Sequence, residues 1–501
     1  MHFGSVRMVN KKKILFVASE VVPFAKTGGL ADVAGALPKA LANMGHEIIV
    51  VMPRYYGIDK GQLQHVPGEL GVPMGSMGEL WAGVYESVLP GSSVKIYFID
   101  YEHFFGRSGL YADNNVSYAD NDNRFIFLSK AVMQLAKKLR FQPDIIHAND
   151  WHTATIPVLR NTKYVFDPDF ANAATVLTIH NLHYQGHFYK GAVDVLEVGW
   201  EHFTPEELEE FDGVNFLKGG IAHADAVTTV SRQYAREIQT PEFGWGLESH
   251  IRRHNHKLYG ILNGVDYEEW SPAVDPFIAK HFDLHDMSGK KACKRALQQE
   301  FGLPVRDEVP LIGFIGRFVD QKGIGLIASA MHKILHMDVQ LVFLGSGEKW
   351  AEGFFSELAG RHPDKVGTYI GYNNTLAHRI EAGCDLFLMP SLFEPCGLNQ
   401  IYSLRYGTLP VVRGTGGLED TIDNYNPQTG EGNGFKFYEA SPDAFFNTLA
   451  WATEVYYNDP EAFDKLRKNA MKARFSWDEA AEIYTELYEM VSLKQAMKRY
   501  Q

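Results

Sequence analysis

The chain has 501 residues, 45% of them apolar and 13% aromatic, which is ordinary globular material and long enough for two large domains. A formal net charge of -13 excludes an unspecific nucleic-acid binder, because phosphate backbones demand dense Lys and Arg; a local basic pocket remains compatible with it. Three cysteines, Cys293, Cys384 and Cys396, make neither a disulfide framework nor a metal-site spacing, and no apolar run approaches the roughly 20 residues of a membrane span, so a cytoplasmic protein without a membrane partner is expected.

Residues 1–12 read as a loose leader. Residues 14–18 are a short continuous apolar run, the pattern of a parallel strand buried on both faces. Apolar residues at three- and four-residue spacing then predict a helix from Leu30 to Leu41, kinked at Pro38 and ended by a left-handed Gly45. Between strand and helix stands Lys26-Thr27-Gly28-Gly29, whose glycines, helix N-terminus and lysine suggest an anion pocket. It is neither a Walker loop nor the dinucleotide fingerprint. Further strands are predicted at 47–52, 144–147, 174–179, 226–230 and 257–262, a helix at 123–139, and an inserted hairpin region over 80–100. The turn-rich, acidic stretch 263–276 reads as the interdomain linker. Strand candidates at 310–315, 339–344, 366–370, 386–389 and 409–412, alternating with helices, then repeat the architecture, down to an echo of 26–33 in 414–421. The tail from Trp477 is helical and is expected to pack across the two domains.

In open α/β sheets, ligands bind outside the carboxyl ends of the strands. The unusual clusters fall there: His147 to His152, His180 to Gly186, Asn263 to Asp266, Gly316 to Gly323, Gly345 to Glu348, Ser391 to Leu398 and Thr415 to Gly417. A single strand-end histidine is more often structural, and His147 is read so. Arg317 and Lys322 stand five positions apart across a Gly-bounded turn, where a planar fork and a point charge would suit neighbouring phosphates.

In order along the chain, K-T-G-G-L-A-D-V, H-x-x-D-W-H, H-N-L-x-Y-Q-G, N-G-V-D, G-R-x-x-x-Q-K-G, E-P-C-G-L-x-Q and T-G-G-L-x-D-T resemble bacterial glycogen synthases and plant starch synthases over about 13–477. The resemblance implies an α/β protein of the GT-B fold. Two Rossmann-like doubly wound domains, 13–270 on the acceptor side and 271–476 on the nucleotide-sugar side, would face across a deep cleft, with a C-terminal helix, 477–501, crossing between them. It implies a retaining hexosyltransferase that moves glucose from ADP-glucose to the non-reducing end of an α-1,4-glucan. By the same resemblance, Lys26, Gly28 and Gly29 would meet donor phosphate and acceptor, Asp150 and His180 would line the glucosyl subsite, and Tyr184 would join Lys26 and Asp150 in holding the acceptor. Arg317 and Lys322 would neutralise the diphosphate, Glu394 would contact the glucose, the amides of Cys396, Gly397 and Leu398 its hydroxyls, and Thr415, Gly416 and Gly417 the phosphates. Where related enzymes carry a second glutamate in E-x7-E, this chain has Tyr402, a substitution typical of glycogen synthases. No carboxylate cluster suggests Mg²⁺, so no metal and no cofactor are expected: cations and oriented amides would meet the developing phosphate charge. No carboxylate nucleophile stands out either, which favours a front-face, ion-pair-like displacement over double displacement. The competing readings are a UDP-glucose-dependent glucosyltransferase and a non-catalytic glucan-binding protein; the latter would not need Lys26, Arg317, Lys322 and Glu394 together.

Overall fold

The computed structural model describes residues 10–113 and 116–498. Most of the expected leader, residues 1–9, therefore lies outside the described residues. The chain divides into two compact units: one takes residues up to 230, 235–264 and the tail from 477, the other 231–234 and 265–476.

The first unit is built on a ten-stranded sheet in the spatial order Leu258–Gly260, Ala226–Thr229, Ala174–Ile179, Ile145–Asn149, Lys13–Val17, Glu47–Pro53, Lys95–Asp100, Glu79–Val88, Gln64–His65, with Leu70–Pro73 also on Glu79–Val88. Pairing is parallel as far as Lys95–Asp100 and antiparallel beyond it. The inserted hairpin therefore forms the sheet edge, but its second strand belongs to the parallel core. Ile14, Leu15, Phe16 and Val17 are fully buried, as a central strand covered on both faces requires, and each such side chain contributes about 1.5–3 kcal/mol on burial.

Helix Gly29–Asn43 follows that strand and runs on through Pro38. It ends as the sequence suggests: Gly45 has φ +96°, its N–H bonds to Ala42 O, and the next N–H, of His46, reaches Leu41 O, the paired bonds of a Schellman cap. The tail helix Trp477–Lys498 is a member of the first unit and has partners there. Tyr488 OH bonds His147 Nδ1 at 2.7 Å, Thr485 Oγ1 bonds His46 Nε2 at 3.0 Å, and Lys498 pairs with Asp225 at 2.8 Å.

The second unit holds a six-stranded, all-parallel sheet in the order Val366–Ile370, Gln340–Gly345, Leu311–Ile315, Leu386–Met389, Leu409–Arg413, Phe435–Phe437. Phe435–Phe437 was not predicted; three residues among glycines carry too little periodicity to show. A correction concerns 263–276. The first unit ends at Gly264, not near 270, and the supposed linker from 265 on is built into the second unit's interior. Trp270 is stacked between His378 at 3.7 Å and Tyr402 at 3.9 Å, and the fully buried Asp275 bonds His378 Nδ1 at 2.8 Å and the Tyr406 hydroxyl. Turn-forming, acidic composition concealed two anchors.

Candidate active site

In the first unit the loop after strand Lys13–Val17 is organised by a residue the sequence did not single out. Glu20 is 4% exposed, and its carboxylate accepts hydrogen bonds from the Thr27 N–H, the Thr27 hydroxyl at 2.8 Å, the Gly28 N–H at 3.3 Å and the Tyr111 hydroxyl at 3.0 Å. Burial raises its pKa against the pull of those donors. Two amides of the expected anion pocket are therefore already committed to a carboxylate of the chain itself. Gly28 and Gly29 remain open: a Cβ on either would meet nothing within 4 Å. Lys26, half-exposed, lies at the mouth of this loop with Nζ 2.7 Å from Asp32.

Asp150 and His180 stand at the ends of the adjacent strands Ile145–Asn149 and Ala174–Ile179. Asp150 takes φ +55°, a conformation Asp tolerates better than most side chains, and this turns its Oδ1 to accept the His180 N–H at 2.7 Å. The Asn181 N–H also favours the ionised carboxyl, yet burial dominates and pushes its pKa up to about 7. Asn149, to which the sequence attached no role, orients His180. Its Nδ2 donates to Val17 O at 2.9 Å, so its Oδ1 faces His180 Nε2, also at 2.9 Å, and that nitrogen carries the hydrogen. Burial holds the His180 imidazole down to about 3, hence neutral. His147 is buried between Tyr488 and Thr178 and has the structural place expected of it. Tyr184 is 53% exposed beside His183, which also packs on Trp245.

Asp150 has a measurable signature. Unfolded, its carboxyl would titrate near 3.9, so between about pH 4 and 7 the native chain keeps a proton that the unfolded chain has released. The sign follows: this group costs stability as pH rises through that window. Asp150→Asn should therefore gain on wild type by about 1.4 kcal/mol per pH unit from about pH 4 to 7 and level off above, read from urea midpoints. A constant difference across the window would rule the assignment out.

The second unit gathers its predicted residues at the carboxyl ends of three strands. Lys322, in the turn after strand Leu311–Ile315, places Nζ 2.6 Å from Glu394 Oε2, and the Ser391 hydroxyl donates to the same oxygen at 3.0 Å. Glu394 is 5% exposed, at the end of strand Leu386–Met389. Gly323, at φ +72°, lets this turn touch the backbone of Pro390, where a Cβ would lie 2.0 Å from the carbonyl oxygen. Arg317 is exposed, and Gln321 steadies it: Nη2 donates to Gln321 Oε1 at 3.3 Å, while Gln321 Nε2 reaches Phe393 O. Cys396 is buried, and Gly397 and Leu398 precede helix Asn399–Arg405 with N–H groups that have no bond to other described residues.

Of the turn Thr415, Gly416 and Gly417, two amides are engaged within the chain. The Thr415 N–H bonds Arg413 O at 2.9 Å, and that of Gly417 bonds Glu394 O at 3.0 Å. A Cβ at Gly416, φ +48°, would lie 1.9 Å from Glu394 O. This Gly-Gly pair serves close packing beneath the Glu394 loop, whereas its echo at Gly28-Gly29 opens to space. Tyr402, at the second-glutamate position, is stacked on Trp270. Residues 231–234 belong to this unit although they lie far away in sequence. The Ser231 hydroxyl donates to Pro395 O at 2.7 Å, and the Arg232 and Gln233 N–H groups cap Asp420 at 2.6 and 3.0 Å.

Two units of strand–helix alternation with polar loops at the carboxyl ends, one carrying a Lys–Glu pair beside open amides, define a glycosyltransferase of the GT-B fold. Residues 13–253 match the family model described as "Starch synthase catalytic domain", and 297–473 that described as "Glycosyl transferases group 1". The chain is 55% identical to Glycogen synthase 1 of Geobacter metallireducens over 96% of both chains, and 46% identical to the glycogen synthase of Desulforudis audaxviator over 95% of this chain and 96% of that one. Among solved structures, the catalytic domain of starch synthase IV from Arabidopsis thaliana, bound to ADP and acarbose, matches with a TM-score of 0.88 at 33% identity over 96% of this chain and 100% of that one. Sucrose-phosphate synthase from Thermosynechococcus elongatus, at 16% identity and a TM-score of 0.58, shares the fold. The chain belongs to the glycogen and starch synthase family.

Proposed function

We propose that the protein transfers glucose from ADP-glucose to the non-reducing end of an α-1,4-glucan, with retention, in the cytoplasm. The observation that carries this reading is the Lys322–Glu394 pair, 2.6 Å apart, with Glu394 on a loop that runs on through Gly397 and Leu398 into a helix and Arg317 in the same turn as Lys322. A diphosphate leaving group and a glucosyl group that becomes cationic as it departs call for that pairing of charges at adjoining positions. Lys322 and Arg317 take the diphosphate, Glu394 faces the sugar, and the amides at Cys396, Gly397 and Leu398 hold its hydroxyls. Lys26, Gly28 and Gly29 offer a second cationic, sterically open loop for phosphate. Asp150 and neutral His180 line the sugar subsite as hydrogen-bonding groups, and exposed Tyr184 offers the acceptor a ring to stack on. Burial makes His180 a weak base, so the acceptor hydroxyl's proton passes to the departing phosphate. ADP in the related plant enzyme supports adenine over uracil.

The test is release of nucleotide diphosphate from ADP-glucose against UDP-glucose, with and without glycogen. Glycogen-dependent release with a strong ADP-glucose preference is expected, and it should be unchanged by chelator, because Lys322 and Arg317 supply the positive charge. UDP-glucose preference would overturn the donor assignment; release in neither case would leave a binding protein.

A further inference from the structure

Away from these loops, three side chains of the first unit converge on one point: His202 Nδ1, Glu207 Oε2 and His223 Nε2 all lie within 4.8 Å of one another. Both imidazoles bond the same carboxylate oxygen, His202 at 2.6 Å and His223 at 2.8 Å. They come from separate segments. His202 closes the 3-10 turn Trp200–His202, Glu207 sits in the following turn, and His223 ends helix Phe216–His223. The backbone holds the first two in place, with Glu207 N–H on Thr204 O at 3.0 Å and Leu208 N–H on His202 O at 3.3 Å. All three residues keep partial access to solvent, so an ion has a route in.

We propose that His202, Glu207 and His223 form a binding site for one divalent transition-metal ion of the zinc class. Two imidazoles and one carboxylate are a donor set that zinc takes with a fourth position left to water, and imidazole nitrogen selects against Mg²⁺ and Ca²⁺. Bonds of about 2.0–2.2 Å place tetrahedral donors roughly 3.3 Å apart, so the His202 and His223 imidazoles move back from Glu207 by roughly 0.7 and 0.5 Å, within the reach of side-chain rotation. On binding, each histidine's N–H shifts to its outer nitrogen, freeing the inner lone pair. Nearby cations are engaged elsewhere: Lys257 Nζ donates to Ala222 O at 2.9 Å and Ala224 O at 2.6 Å, and Arg253 lies 3.7 Å from Glu206. The ion fastens the 199–210 segment to the helix that ends at His223.

The experiment uses the full chain, stripped of metal, at about pH 7.5. Co²⁺ should bind at one ion per chain with a visible absorption band of a low-coordinate site, Zn²⁺ should displace it, and Zn²⁺ should raise the Tm. The His202→Ala/His223→Ala chain should lose more than about 100-fold in Co²⁺ affinity, and Glu207→Gln, which keeps the shape, about tenfold or more. In the double alanine chain the Tm gain should vanish, and in Glu207→Gln it should shrink. A His254→Ala/His256→Ala chain, altered in the neighbouring histidine group, should bind as wild type does. Absence of saturable Co²⁺ binding would show a hydrogen-bonded triad alone and overturn the proposal. Binding that survives in Glu207→Gln and the double alanine chain, or that is lost in the His254/His256 chain, would overturn it equally.

Discussion

Glu394→Gln should lower turnover by orders of magnitude while ADP-glucose binding stays close to wild type. The substitution keeps the shape of the side chain and an oxygen to accept from Ser391 at 3.0 Å, and deletes only the charge. Because that charge is paired with Lys322 at 2.6 Å, part of its work is structural, and a stability loss of about 1 kcal/mol is expected from a pair whose lysine is 21% exposed. The deciding quantity is the split between turnover and folding. If the carboxylate favours the cationic sugar in the transition state, activity per folded molecule collapses. If it merely ties Lys322 and the Ser391 loop together, activity falls only with the folded fraction. A folded Glu394→Gln enzyme with near-wild-type turnover would remove Glu394 from the chemistry.

Lys322→Ala should cost roughly 10²-fold or more in turnover, and Lys322→Arg less, because charge on the departing diphosphate grows as the sugar bond breaks. Arginine retains the charge but replaces a point donor by a broad fork that fits the 2.6 Å contact with Glu394 poorly. Alanine also leaves Glu394, at 5% exposure, without its cation, so thermal stability must be measured alongside. Since the two side chains touch, their effects should not add: Lys322→Ala should cost less in the Glu394→Gln background than in wild type. A rise in KM alone, with turnover unchanged, would reduce Lys322 to uniform binding of the donor.

The alternation of buried strands and amphipathic helices, and the placing of polar loops after strands, were legible in the sequence, because hydrophobic periodicity is a local property. Thus 14–18, 174–179 and 386–389 announce buried parallel strands, and Lys26, Asp150, His180, Lys322 and Glu394 fall just past strand ends. The resemblance of seven motifs in fixed order carried family and activity further than any one of them. What those motifs touch was not legible, since partners distant in the chain leave no period. Glu20 reads as the residue where an apolar run stops, yet it occupies the amides of Thr27 and Gly28. Asn149, an unassigned position of H-x-x-D-W-H, fixes the tautomer of His180. The echo between 26–33 and 414–421 suggested one role for two Gly-Gly pairs; packing separated them, leaving Gly28-Gly29 open and pressing Gly416-Gly417 against the Glu394 and Cys396 carbonyls. Trp270 and Asp275 lay in a stretch whose composition spells a linker, and only the stacking rings and the buried imidazole at His378 make them core. Local pattern is encoded within a few residues, whereas hydrogen-bond partnership, burial and the assignment of 231–234 and the tail helix to their units depend on which segments the folded chain brings together.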